Sequence, residues 1–320
     1  MMIQHRRASD PGRTTRQAGV ALVLVLWMLA VLSVIANSVA FTVRTEVQAA
    51  SRAAMLAQAE AAADAGVFRA IYELLKPASD PLRWQANGLV HEWPFGDAHL
   101  SIRIGDESGK IDLNTAPADL LAGLFRAVGV AEAEALALAD AVVDWRDTDL
   151  LRRPHGAERD DYAAAGSSGP ANAPFQSILE LRQVLGMNEA LYRMLEPLVT
   201  VYSRRNTVNA AVAAPAVLLA LPGATHDQVA RYVDQRQFMI ERGLPPPPFP
   251  LMQGHGTSIA FYSIQSVAIL GDNVRFSREC VVRLTGKPSD PFVILTWHAS
   301  RPGVSPAPSL DSALPNGQSR

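Results

Sequence analysis

The sequence predicts an α+β fold in which a long N-terminal helix, transmembrane at first and amphipathic afterwards, packs on a small antiparallel sheet interrupted by a large all-α insertion. Three observations carry this expectation. No charge occurs from Val20 to Val43, and small or apolar residues then recur every three or four positions as far as Pro77. One alternating apolar segment stands early, at His99 to Ile104, while three stand late, at Ile259 to Leu270, Arg275 to Leu284 and Phe292 to His298. Between them, from Asn114 to about Gln237, the chain is rich in alanine and leucine and is broken repeatedly by glycine or proline, as a set of short helices would be.

The uncharged run is long enough to cross a hydrocarbon core, which takes ~20 helical residues. Ahead of it lies a basic leader, residues 1–19, with His5, Arg6, Arg7, Arg13 and Arg16. The positive-inside bias puts that leader in the cytoplasm and the bulk of the chain across the membrane. A Sec-type signal peptide joins the same two parts, but its apolar region spans about 7–15 residues and ends at a small-x-small cleavage site. Here the run is longer and Gly19 precedes it. Beyond the span, Val47, Ala50, Ala54, Ala57, Ala61, Phe68, Ile71 and Leu75 form a stripe, so residues 20–76 read as one helix about 85 Å long.

Isolated strands must find partners, so the early and late strands are expected to share one sheet, formed by 77–112 and 245–300, with 113–244 inserted as a separate helical body. The proline run from Pro245 to Pro250 reads as a stiff extended linker back to the sheet. The Pro, Ser and Gly-rich tail, 301–320, is expected to be disordered. The insertion contains an echo: Leu113 to Leu121 resembles Val208 to Leu219, each with an Asn available as a cap and a Pro suited to a first turn. Glycine turns at Val128-Gly129-Val130, Leu185-Gly186-Met187 and Leu221-Pro222-Gly223 resemble helix-hairpin-helix units. Ser177 with Glu180 forms a capping box leading into Ile178 and beyond.

Composition narrows the function classes. A net charge of -2 argues against a nucleic-acid-coating protein, and the hairpin turns carry Asp227 and Glu189 where a phosphate would lie, so no nucleic-acid partner is expected. The single cysteine, Cys280, allows no internal disulfide. Phosphate-loop, dinucleotide, zinc-protease and serine-hydrolase motifs are absent, and the 7 histidines are scattered. An enzyme is not expected.

The densest carboxylates run from Asp144 to Tyr162. Hard cations such as Ca²⁺ take six to eight oxygen ligands, which acids on a helix end and its loop can supply. The spacing is not that of an EF-hand, and Arg146, Arg152, Arg153 and Arg159 offer the plainer alternative of surface ion pairs.

Several segments carry a family resemblance. The junction Gln17-Ala18-Gly19-Val20-Ala21-Leu22 resembles the type IV prepilin class, which implies cleavage by a prepilin peptidase after Gly19 and a mature chain starting at Val20. The DESGKIDLNTAPADLL segment from Asp106, the Asp-Trp-x-Asp-x-Asp…Gly-Ala-Glu-x-x-x-Tyr pattern and FQSILELRQVLGM from Phe175 resemble the minor pseudopilin GspK of type II secretion systems. That resemblance implies a pilin-like sheet bearing a helical domain, a bacterial inner-membrane anchor with a periplasmic head, and a place at the pseudopilus tip beside the minor pseudopilins GspI and GspJ. It also implies bound calcium, with Asp147, Asp149 and Glu158 the first ligands to expect, then Asp144, Asp160 and Asp161. Most pilin-like subunits have a glutamate at the fifth mature position, where this chain has Leu24, and in the family its absence marks the tip subunit. A minor pilin of a type IV pilus and a membrane-tethered DNA-binding protein are the alternatives.

Overall fold

The computed structural model describes residues 17–77, 79–251, 260–271 and 274–300. The leader as far as residue 16 and the expected disordered tail lie outside the described residues, as does the side chain of Val20. The chain divides into two compact units, residues 1–57 and 58–320.

Helix α1 runs from Gln17 to Leu75. In the first unit every described side chain, from Ala21 to Ala57, is exposed. This is the helix long and apolar enough to cross a membrane. Apolar residues on all sides suit lipid rather than water. Its hydroxyls fold back on the helix: Ser33 donates to the Leu29 carbonyl at 2.8 Å and Thr42 to that of Ser38 at 3.0 Å.

In the second unit α1 packs on a five-stranded antiparallel sheet. The buried face consists of Ala59, Ala62, Ala63, Val67, Ala70, Ile71 and Leu74; of the expected stripe it keeps Ile71, while Phe68 and Leu75 are exposed. The reason is proximity. A Cβ on Gly66 would collide with the Ser266 hydroxyl and the Leu100 side chain, so at that position the helix meets the sheet without room for a side chain. Arg278, 8% exposed at its side chain, ties the two together through Asp64 at 2.6 Å and Glu60 at 2.7 Å.

Strands β1 (Asn87–Phe95) and β2 (Ala98–Asp106) precede the insertion. The expectation of one early strand is corrected, because the segment with Trp93, Pro94 and Phe95 pairs with β2 as a hairpin. Pro94 fits there because β1 is an edge strand, where a missing N–H costs little. The insertion starts before the expected 113: β3 (Ile111–Asp112), with Ile111 in its core, and β4 (Val199–Thr200) form a short parallel pair that no alternation announced. After it come β5 (Phe261–Leu270), β6 (Val274–Lys287) and β7 (Asp290–Ser300), and the sheet order is β1-β2-β5-β6-β7. Leu100, Ile102, Ile104, Ile264, Ala268, Cys280 and Val282 meet α1 in one core. Burial pushes the Cys280 thiol up to about 12, which leaves it inert.

The insertion holds α2 (Ala118–Ala127), α3 (Glu132–Arg146), α4 (Arg159–Ala164), a 3₁₀ segment (Ile178–Gln183), α5 (Glu189–Leu195), α6 (Pro215–Leu219) and α7 (His226–Glu241) around its own core. The Ser177–Glu180 capping box is present but opens the 3₁₀ segment, not an α-helix. Gly129 and Gly223, with φ of 94° and 80°, turn the chain between α2 and α3 and between α6 and α7. The expected Asn caps are not formed. Asn114 exchanges two hydrogen bonds with the Phe175 backbone, and the Asn209 backbone N–H donates to the Ser108 carbonyl at 2.7 Å. The proline run also differs from expectation. Phe249 is buried in the insertion's core at 4.8 Å from Tyr232, whose hydroxyl donates to the Pro247 carbonyl, so residues 245–250 pack on the helical body instead of spanning to the sheet.

Candidate functional site

Helix α3 ends at Arg146, and Asp147 turns extended as its C-cap. The chain then loops out and returns at Glu158, the N-cap of α4. This path brings one carboxylate oxygen each from Asp147, Asp149 and Glu158 within 4.8 Å of one another. Oxygens facing each other across a Ca²⁺ ion bound at 2.3–2.6 Å would be about 5 Å apart at most, so the spacing fits.

The loop is fastened from below and from the side. Arg153 pairs with Asp140 at 2.9 Å, and the His155 backbone N–H reaches the other Asp140 oxygen. Asp144 is fully buried and accepts from the Arg153 backbone at 3.3 Å, while Gly156 packs so close to its carboxylate that no Cβ could fit. Trp145 lies 5.9 Å from both Tyr162 and Phe175, closing an aromatic floor.

The basic side chains do not neutralise the cluster. Arg146 donates to the carbonyls of Leu113 and Ala116, Arg153 takes Asp140, and Arg152 takes Asp161. Among the described residues none lies within ion-pair distance of Asp147, Asp149 or Glu158. Oδ1 of Asp147 and both carboxylate oxygens of Glu158 are buried without a hydrogen-bond partner, as is Oδ1 of Asp144. Such atoms call for a cation or a proton. Burial, reinforced by Asp149, raises the Asp147 carboxyl, and burial, reinforced by Asp147, raises that of Glu158. Burial pushes Asp144 up to about 6. All donors are carboxylate oxygens, which favours a hard cation over zinc or copper.

Three expected ligands fall outside the cluster. Asp161 accepts from the Glu158 backbone N–H at 2.9 Å and pairs with Arg152, so its oxygens are engaged, and Asp160 is exposed on α4. Asp144 sits beside Asp147, Asp149 and Glu158 but not among them. The sequence reading missed Asn172, which donates to the Asp149 carbonyl at 3.4 Å and buries an unpartnered Oδ1. Its position between Pro170 and Pro174 signalled a turn and nothing more. Leu24 is exposed on the apolar part of α1, and Gly19 and Val20 lie within the same helix.

Residues 100–204 match the family model described as type II secretion system (T2SS), protein K. The chain is similar to the type II secretion system protein K of Pseudomonas aeruginosa, with 28% identity over 69% of this chain and 72% of that one. It is also 28% identical to the protein of that name from Klebsiella pneumoniae, over 58% of this chain and 62% of the relative's length. A stretch covering 20% of this chain and 17% of the Dickeya chrysanthemi protein K reaches 42% identity. Among solved structures, a chain of the GspK-GspI-GspJ complex from the enterotoxigenic Escherichia coli type 2 secretion system shares the fold. The TM-score is 0.55 at 18% identity, over 81% of this chain and 99% of that one.

Proposed function

We infer from the type II secretion system protein K family, to which this chain belongs, that it is a minor pseudopilin: an assembly protein that docks, and does not make or break bonds. The family match over residues 100–204 carries this reading, because it spans the second sheet strand, the first helices of the insertion and the whole carboxylate cluster. The apolar part of α1 anchors the chain in the bacterial inner membrane, with the basic leader in the cytoplasm and the sheet and insertion in the periplasm. Prepilin peptidase removes the leader after Gly19.

The partners are GspI and GspJ, since the similar solved complex contains chains of those names. Leu24 leaves the mature helix without a carboxylate to meet the terminal amine of a subunit above, which suits the tip of the pseudopilus. Calcium binds at Asp147, Asp149 and Glu158. Bound there, it cross-links the loop after α3 to the start of α4, so that the insertion presents one fixed surface.

Co-expression of the full chain with GspI, GspJ and prepilin peptidase tests the reading. The expected result is a complex of all three mature subunits recovered from membranes. A processed chain that emerges without either sister subunit would overturn it.

A further inference from the structure

We propose that Asn37 hydrogen-bonds a polar side chain on the membrane-spanning helix of a sister pseudopilin and so fixes the register in which the two helices pack. The inference rests on the pseudopilin reading. It starts from a mismatch in the apolar part of α1. Ser33 and Thr42 satisfy their hydroxyls on the helix's own carbonyls. Asn37 does not: its side chain is exposed, and it makes no hydrogen bond in the structure. A carboxamide carries two donors and an acceptor, more than a helical turn can absorb.

Asn37 lies about 10 Å inside the end marked by Arg44, the first charge after the span, at 1.5 Å per residue. At that depth neither water nor lipid tails offer a partner, and polar residues in a span ordinarily face other helices. On its helical face Ala30, Ser33 and Ala40 form a small-residue flank along which a second backbone could come close, with Val34 and Phe41 on the other side of Asn37. The occupant must therefore be a helix with a hydrogen-bonding side chain at matching depth. That helix is assigned to a sister subunit, since under the pseudopilin reading its span lies in the same membrane. The solved complex most relevant here joins three different chains and not copies of one.

The test uses the full chain with GspI and GspJ in membranes. A cysteine replaces Ala40, and single cysteines are placed at the same depth in each sister; the native Cys280 is buried and silent. Disulfide yield reports the packing. Asn37→Leu keeps the helix apolar enough to insert and is expected to lower the yield about threefold to fifteenfold. Asn37→Gln should retain most of it, and Val39→Leu on the opposite face should leave it unchanged. Undiminished yield in Asn37→Leu overturns the proposal, and so does a loss confined to cross-links between two copies of this chain. Failure of the unsubstituted chain to cross-link or co-purify with either sister overturns the pseudopilin reading itself.

Discussion

Calcium should stabilise this protein strongly at neutral pH and hardly at all at pH 5, for reasons visible in the carboxylate cluster. Without a cation, Asp147, Asp149 and Glu158 share a space less than 4.8 Å across, with no basic partner among the described residues. Beside them burial raises Asp144 from 3.8 to about 6, so holding it ionised at neutral pH destabilises the metal-free fold. A carboxyl raised in the folded state binds more protons there than in the unfolded chain. Metal-free stability therefore falls as pH climbs from about 4 through 6. A cation held by Asp147, Asp149 and Glu158 opposes this, competing with protons on those three carboxyls and placing positive charge beside Asp144. At a hundredfold excess over its Kd it adds about 2.7 kcal/mol. For a folded body of this size that raises Tm by about 5–10 °C. Thermal unfolding of the full chain in detergent, in calcium and in EDTA, at pH 7.5 and pH 5, reads the effect. Glu158→Gln gives a second sign: it should lose most of the calcium increment yet melt higher than wild type in EDTA, because a buried unpaired carboxylate has gone. Identical wild-type melting in calcium and EDTA at pH 7.5 would refute the reasoning, as would a Glu158→Gln protein less stable than wild type in EDTA.

Gly123→Ala should destabilise the insertion by about 2–3 kcal/mol in urea unfolding, because the new methyl would run into the Ala220 carbonyl where α2 meets α6. Arg278→Ala should cost about 1–3 kcal/mol, less than a fully buried pair, since Glu60 stays 48% exposed and Asp64 31% exposed. Mass measurement after co-expression with prepilin peptidase should find Met1 to Gly19 removed and the apolar segment retained, whereas a chain starting after Val43 would contradict the anchor.

The parts of the fold legible in the sequence are those written by periodicity. Alternation at Leu100, Ile102 and Ile104 marked β2, and the helical run between Asn114 and Gln237 marked the insertion. What periodicity could not show was set by contacts distant in sequence. β1 was hidden because Pro94 and the aromatic residues beside it look like a connector until an edge position makes them acceptable. The buried face of α1 was misplaced in part because a stripe of large residues ordinarily marks the core, whereas here alanines share that face with Val67, Ile71 and Leu74, and at Gly66 the sheet leaves no room for a Cβ. In the candidate site, Asp147, Asp149 and Glu158 were named from residue type and motif. Their separation from Asp160 and Asp161 depended on where the arginines went. Arg146 spends its guanidinium on two backbone carbonyls, and no pattern of charges predicts that choice.

A docking protein must also pass force between its parts, and the outgoing junction from sheet to insertion is built to do so. The chain leaves β2 at Asp106, which caps the turn by accepting from the Ser108 N–H. Glu107, 2% exposed, pairs with Lys110 at 2.6 Å and accepts from the Thr200 hydroxyl at 2.5 Å. Asp112, equally hidden, accepts from the Ser203 hydroxyl and the Arg204 backbone. Gly109 lies against the Val212 backbone with no room for a side chain. The Asp106 and Lys110 contacts are local, whereas the bonds of Glu107 to Thr200 and of Asp112 to Ser203 join residues about ninety positions apart, so parting these segments would strip buried carboxylates of their partners. That penalty is several times thermal energy. Contacts of this kind hold the start of the insertion close to the end of β2, the strand whose Leu100, Ile102 and Ile104 pack on α1.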